Sequence, residues 1–252
     1  MKNVCFVCAI FLSLSFTVHS NSIHPIQSRQ SEILSTLFDQ LVTRQINSEM
    51  AIEKSVNALL KRYPEQIELV LDIALAEYPH EYKQVICGAL RAEPALTSDV
   101  LDLIFKLDIA SHEEIISFAV TEEPAYATEI VNIAVAHKPL DIENIVRVAI
   151  ATEPLMAKHV VDSAMETYPE KLLDILVVAI TELPDQVLSL VRDTLRISPD
   201  NAEVVSVAIS SSKADKAREI ISTAVKSGIS KETATAAAIA AGAKKDDIAK
   251  LD

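Results

Sequence analysis

Residues 121–135 read TEEPAYATEIVNIAV and residues 136–150 read AHKPLDIENIVRVAI, two fifteen-residue units with proline in fourth place. In the second unit the apolar positions are Ile142, Ile145, Val146, Ala149 and Ile150. That i, i+3, i+4, i+7, i+8 order is the buried stripe of an amphipathic helix rather than the alternation of a half-buried strand. One short helix per unit is therefore predicted.

The same frame extends in both directions. Prolines stand at Pro64, Pro79, Pro94, Pro124, Pro139, Pro154, Pro169, Pro184 and Pro199, and the one missed beat falls at Ile109. Proline has no N–H to donate and is tolerated in a first helical turn, while it pushes the preceding residue out of helical geometry. The expectation is a helix of roughly 11–12 residues entered through its proline, then a turn of about three residues, around Glu77–Tyr78 or Glu122–Glu123, that sets neighbours antiparallel. Alanine recurs fourteenth in the unit, at Ala74, Ala89, Ala119, Ala134, Ala149, Ala164 and Ala179, where a small side chain lets helix backbones approach.

Two other folds fail on physical grounds. One continuous helix would carry nine interior prolines, each costing about 3 kcal/mol. A β-solenoid would need many tight turns, and the whole chain has only Gly88, Gly228 and Gly242 to supply glycine there. The predicted fold is all-α: an α-solenoid of about 13 short antiparallel helices, in hairpins of about 30 residues, because a lone unit cannot bury its stripe but stacked units can. The repeat domain is read as residues 46–240, with an N-terminal capping helix in 21–45 and a C-terminal tail in 241–252. The unit after Pro199 runs one residue short, with Val204, Val205 and Ala208 early, and Ile220, Ile221 and Ala224 restore the frame.

This pattern resembles the helical-repeat superfold that includes HEAT and tetratricopeptide proteins. It lacks the Trp/Gly/Tyr pattern of the latter, and its hairpin is shorter than a HEAT repeat. The resemblance implies an architecture suited to binding other proteins and carries no specific site.

Residues 1–20 read as a secretory signal peptide. Lys2 gives a positive start, residues 4–16 (VCFVCAIFLSLSF) an apolar stretch, and Val18 and Ser20 small residues before a cut that leaves Asn21 first. The apolar run is shorter than the roughly 20 residues that span a bilayer, and no other segment is apolar enough. A secreted or periplasmic protein is expected. Cys5 and Cys8 leave with the signal, so Cys87 remains alone and no disulfide within the chain is available. Its polar place in the unit makes it a candidate for partial exposure and for a thiol link between two chains.

The formal net charge is −13 and it is unevenly spread: residues 211–252 carry +2, and residues 21–210 carry −16. An acidic body argues against nucleic acid, whose phosphates require basic patches. A cationic protein or peptide partner fits it better. Asp72, Asp102, Asn132 and Asp162 recur every thirty residues and are predicted to line one surface as a candidate binding wall. At about 8–10 Å between neighbouring helices, they stand too far apart to share a calcium ion at about 2.4 Å ligand distances.

Catalytic signatures do not appear. There is no phosphate-binding loop, HExxH, paired CxxC or EF-hand, and no cofactor is expected. His112-Glu113-Glu114 reads as an acidic helix start rather than an acid–base group, and Tyr63, Tyr78 and Tyr168, each before a proline, read as packing residues. The functional expectation is an exported, non-enzymatic scaffold for a protein or peptide. The alternative is a self-assembling structural protein of the envelope or matrix, associating through the alanine-rich C-terminal unit TATAAAIAA (233–241).

Overall fold

The computed structural model describes residues 25–45, 48–244 and 248. The signal-peptide reading, the start of the capping segment, Ile46, Asn47 and most of the final tail lie outside the described residues. The protein is all-helical among the described residues. Its fourteen α-helices are α1 (Pro25–Arg44), α2 (Ala51–Arg62), α3 (Ile67–Glu77), α4 (Tyr82–Leu90), α5 (Thr97–Leu107), α6 (His112–Glu122) and α7 (Ala127–His137). They continue as α8 (Ile142–Thr152), α9 (Ala157–Thr167), α10 (Leu172–Glu182), α11 (Val187–Ile197), α12 (Glu203–Ser211), α13 (Ala217–Lys226) and α14 (Lys231–Ala240).

The prolines act differently from the expectation. Pro139 does not sit in the first turn of α8 but opens a separate 3₁₀ turn, Pro139–Asp141, and the α-helix begins after it. Pro64, Pro79, Pro124, Pro169 and Pro184 do the same. The residue before each proline takes an extended φ, −130° at Tyr78 and −134° at Lys138, because the proline ring excludes it from helical space. Its N–H still closes the preceding helix, as Tyr78 N donates to Ala74 O at 2.9 Å. Two residues past the proline the chain bonds back, Glu81 N to Tyr78 O at 3.0 Å. Hence Glu77 and Glu122, read as turn residues, are the last residues of their helices.

Where proline is missing, other chemistry supplies the break. Asp108 adopts a left-handed φ of 49°, and the Ser111 hydroxyl accepts the Glu114 N–H as an N-cap. At the far end Gly228 (φ 113°) and Gly242 (φ 96°) close α13 and α14. The N–H of Ile229 reaches Ala224 O and that of Ala243 reaches Ala238 O, the six-to-one bond of a Schellman motif.

Isolated helices of eleven residues are marginal in water, so burial must hold these. The marked stripe is buried in α8 at Ile142, Ile145, Val146, Ala149 and Ile150, and in α9 at Ala157, Val160, Val161, Ala164 and Met165. Burying each large aliphatic contributes about 1.5–3 kcal/mol. In α11 the alanine place is taken by Thr194, fully buried, whose hydroxyl donates to Leu190 O at 2.7 Å. Each helix packs on its neighbours: α2 on α4, α4 on α6, α6 on α8, and so on to α14, with α3, α5, α7, α9, α11 and α13 in a parallel series. Helix α1 lies on α2 and α3, with Phe38 buried and its ring 6.0 Å from that of Tyr78.

Candidate functional site

Asp72 and Asp102 come from α3 and α5, which pack on each other. Both line one open groove of about 990 Å³, together with Glu65, Glu68, Asp99 and Lys106 and a floor that includes Leu69 and Leu103. The two aspartates differ chemically. Partial burial, reinforced by the negative charge of Glu68, raises the Asp72 carboxyl above its ordinary value. Asp102 is held below its ordinary value, first by the hydrogen bond from Lys106, then by His137, whose Nε2 lies 2.9 Å from Asp102 Oδ1, against an opposing effect of burial. Lys106 is correspondingly held protonated by Asp102. The groove thus offers five carboxylates against one ammonium group.

Asn132 and Asp162 do not join that groove. Both are half-buried, and Asn132 Oδ1 and Asp162 Oδ1 are enclosed with no hydrogen-bond donor among the described residues. The other oxygen of Asp162 accepts from Lys158 Nζ at 2.9 Å, and the same ammonium reaches Asp193 at 2.6 Å. The four residues marked by the sequence therefore split into an open acidic pair and two that are turned inward.

The sequence reading missed the next member of the series. Thirty residues after Asp162 stands Arg192. It lines a second groove, of about 620 Å³, between α11 and α13, with Arg196 and Lys226 as the other cations and Leu188, Leu195 and Pro199 among its walls. No carboxylate lines this groove, although the chain is strongly acidic. The signal was in the sequence, but a search for repeated carboxylates passes over an arginine in the same place.

Cys87 corrects an expectation. It is 5% exposed, and its thiol donates to Glu122 Oε2 at 3.1 Å, beside Arg91. Burial foremost, then Glu122, pushes its pKa up to about 12. The thiol faces inward because α4 presents it to α6, so it is not displayed for a link between chains. Arg91 bridges Glu53 of α2 at 2.7 Å and Glu122 of α6 at 2.6 Å, tying both helices to the end of α4.

His112 opens α6 with Glu113 and Glu114 in its first turn. Glu114 pairs with Lys83 at 3.0 Å, and Glu113 accepts from Asn144. The histidine itself is 7% exposed and stacked on Phe105, 4.8 Å between ring centres. Tyr63, Tyr78 and Tyr168 pack against the core, and Tyr168 Oη donates to the Asn132 carbonyl at 3.3 Å. Among the described residues no group of His, Cys, Asp and Glu is placed to hold a metal ion, and no helix is long and apolar enough to cross a membrane. No family model, curated protein or solved structure matches the chain.

Proposed function

We propose that this chain is an exported, non-enzymatic α-solenoid of fifteen-residue units that binds a cationic protein or peptide in the groove between α3 and α5. The acidic groove of α3 and α5 carries the reading, since five carboxylates face a single lysine there. The solenoid reading is supported by the helix starts. Nine helices in succession, α3 at Ile67 to α11 at Val187, begin fifteen residues apart. Each of these nine packs on the helix two before it, and each except α6 packs closely on the helix before it as well. Export rests on residues 1–20, with Asn21 as the mature start, and places the protein in the periplasm or outside the cell.

A charged groove binds through summed Coulomb attraction that salt weakens. The test is titration of a fluorescent lysine-rich peptide into the mature protein, with the double variant Glu68→Lys, Asp72→Lys alongside. The peptide is expected to bind the parent chain at low salt and to lose at least about tenfold in affinity, near 1.4 kcal/mol, with the double variant. Equal affinity for both chains would remove the groove as the binding site.

A further inference from the structure

Every helix packs closely on the next in the chain except α5, which has no such contact with α6. This is the junction where the proline is missing, and the chain crosses it through the left-handed Asp108 and the cap at Ser111. Across the seam α4 touches α6 and α5 packs on α7. Between α5 and α6 stand rings. Phe105 of α5 is 3% exposed, its centre 4.8 Å from that of His112 at the start of α6 and 5.5 Å from that of His137 at the end of α7.

The two imidazoles are held differently. His137 Nε2 lies 2.9 Å from Asp102 Oδ1, and Asp102 is kept ionised, first by Lys106. That bond survives protonation of His137, because a carboxylate accepts from an imidazolium as well as from a neutral ring. His112 is in the opposite position. It is buried, and its Nδ1 is enclosed with no partner among the described residues. An imidazolium donates from both nitrogens, so a proton on His112 leaves a buried charge and a buried N–H without an acceptor. Lys138 and His137, from the end of α7, oppose that charge, while Asp108 from the end of α5 and Asp141 from the turn before α8 favour it. In its own first turn Glu113 is engaged by Asn144 of α8 and Glu114 by Lys83 of α4.

We infer that the α5–α6 junction is an acid-operated hinge: a protonated His112 withdraws from Phe105, the seam between α5 and α6 opens, and α1–α5 turn relative to α6–α14 about the α5–α7 contact. In the open seam water supplies acceptors to both imidazole nitrogens, and the bond from His137 to Asp102 keeps α5 tied to α7. Linkage fixes the sign. The closed seam, in which burial foremost lowers the affinity of His112 for its proton, is favoured above about pH 6.5 and gives way as pH falls. Among the described residues His112 is the one buried histidine, so acid acts at this junction and not along the rest of the stack.

Two measurements between about pH 7.5 and pH 5 test this. The first is the distance between nitroxide labels at Glu65→Cys and Leu155→Cys, exposed sites on either side of the seam, in a Cys87→Ser chain. One narrow distance is expected at the higher pH, and a second distance should appear at the lower. The second measurement is hydrogen exchange, corrected for the intrinsic effect of pH. Residues 107–118 should exchange at least about fivefold faster at the lower pH, while α7 to α9 keep their protection. His112→Leu should hold the closed distance and the slow exchange at both pH values. His137→Gln, which leaves the trigger in place, should still open. Circular dichroism at about pH 7.5 confirms that each variant is folded, and the parent and His137→Gln decide the matter if His112→Leu is not. A parent chain with one distance and one exchange rate at both pH values would overturn the inference. So would a His112→Leu chain that opens as the parent does, or a His137→Gln chain that stays closed. Loss of protection in α7 to α9 together with residues 107–118 would replace the hinge with general melting.

Discussion

Gly88 of α4 lies on the backbone of α2: a Cβ at Gly88 would stand 2.5 Å from the Glu53 carbonyl oxygen and 3.0 Å from Val56 Cβ. Asn57 Nδ2 donates to Gly88 O at 3.3 Å across the same contact. Glycine here serves close approach, since Gly88 sits within a regular helix.

Gly88→Ala accordingly runs against helix propensity. Alanine exceeds glycine by about 1 kcal/mol in a helix interior, whereas forcing α2 and α4 apart costs about 1–3 kcal/mol. A net loss of stability is expected in urea unfolding, and an unchanged or raised midpoint would show that the two helices separate freely.

His112 makes the fold sensitive to acid. Burial first, then the positive charge of Lys138, lowers its pKa below 6.5, with His137 adding to the effect and Asp108 and Asp141 opposing it. The unfolded chain therefore binds a proton that the folded chain refuses, so stability rises with pH in that window. Its contribution is complete above about pH 6.5 and is lost as pH falls from there toward the folded-state pKa. His112→Leu, which places an aliphatic where α10 has Leu172, should flatten the melting temperature between about pH 5 and 7. A slope equal to that of the parent would assign the effect elsewhere.

Cys87 is expected to be inert in the native protein. Thiolate is the reactive form, and a pKa pushed up to about 12 leaves almost none near neutrality. Labelling by a thiol reagent at about pH 8 should be at least about a hundredfold slower in the folded chain than in denaturant. Rapid labelling, or a disulfide-linked pair on a non-reducing gel, would restore the exposed thiol that the sequence suggested.

Ala134 is fully buried, and its carbonyl closes α7 through Lys138 N. Ala134→Phe should destabilise by about 1–3 kcal/mol through overpacking. Leu155 is 89% exposed, and Leu155→Ser should change stability by less than about 0.5 kcal/mol. Equal losses would mean that the buried stripe is wrongly assigned.

Much of the fold was legible because local and periodic forces govern it. Ile142, Ile145, Val146, Ala149 and Ile150 are buried as their spacing predicted, since a helix turning by 3.6 residues puts them on one side whatever it packs against. The helix breaks were also legible, but not their form. Whether Pro139 enters an α-helix or a 3₁₀ turn depends on how far the chain must travel between two packed helices, which the residues around it do not state. At Ile109, where proline is missing, Asp108 and Ser111 do the work with a left-handed turn and a side-chain cap.

The candidate surface was only half legible. A thirty-residue spacing singled out Asp72, Asp102, Asn132 and Asp162, yet it did not distinguish the open pair from the inward pair. Nor did it connect them to Arg192, because it compared like residues and not equivalent places.

The sequence by itself determined where the helices lie and which stripe of each is buried, because backbone geometry and hydrophobic burial act over a few residues. Tertiary structure alone decided which charges meet. Lys83 pairs with Glu114, 31 residues on, and Lys158 with Asp193, 35 residues on. It also turned Cys87 inward and set Gly88 against Glu53. Such contacts depend on the rotation and separation of neighbouring helices, and these are fixed only when the side chains of both pack together.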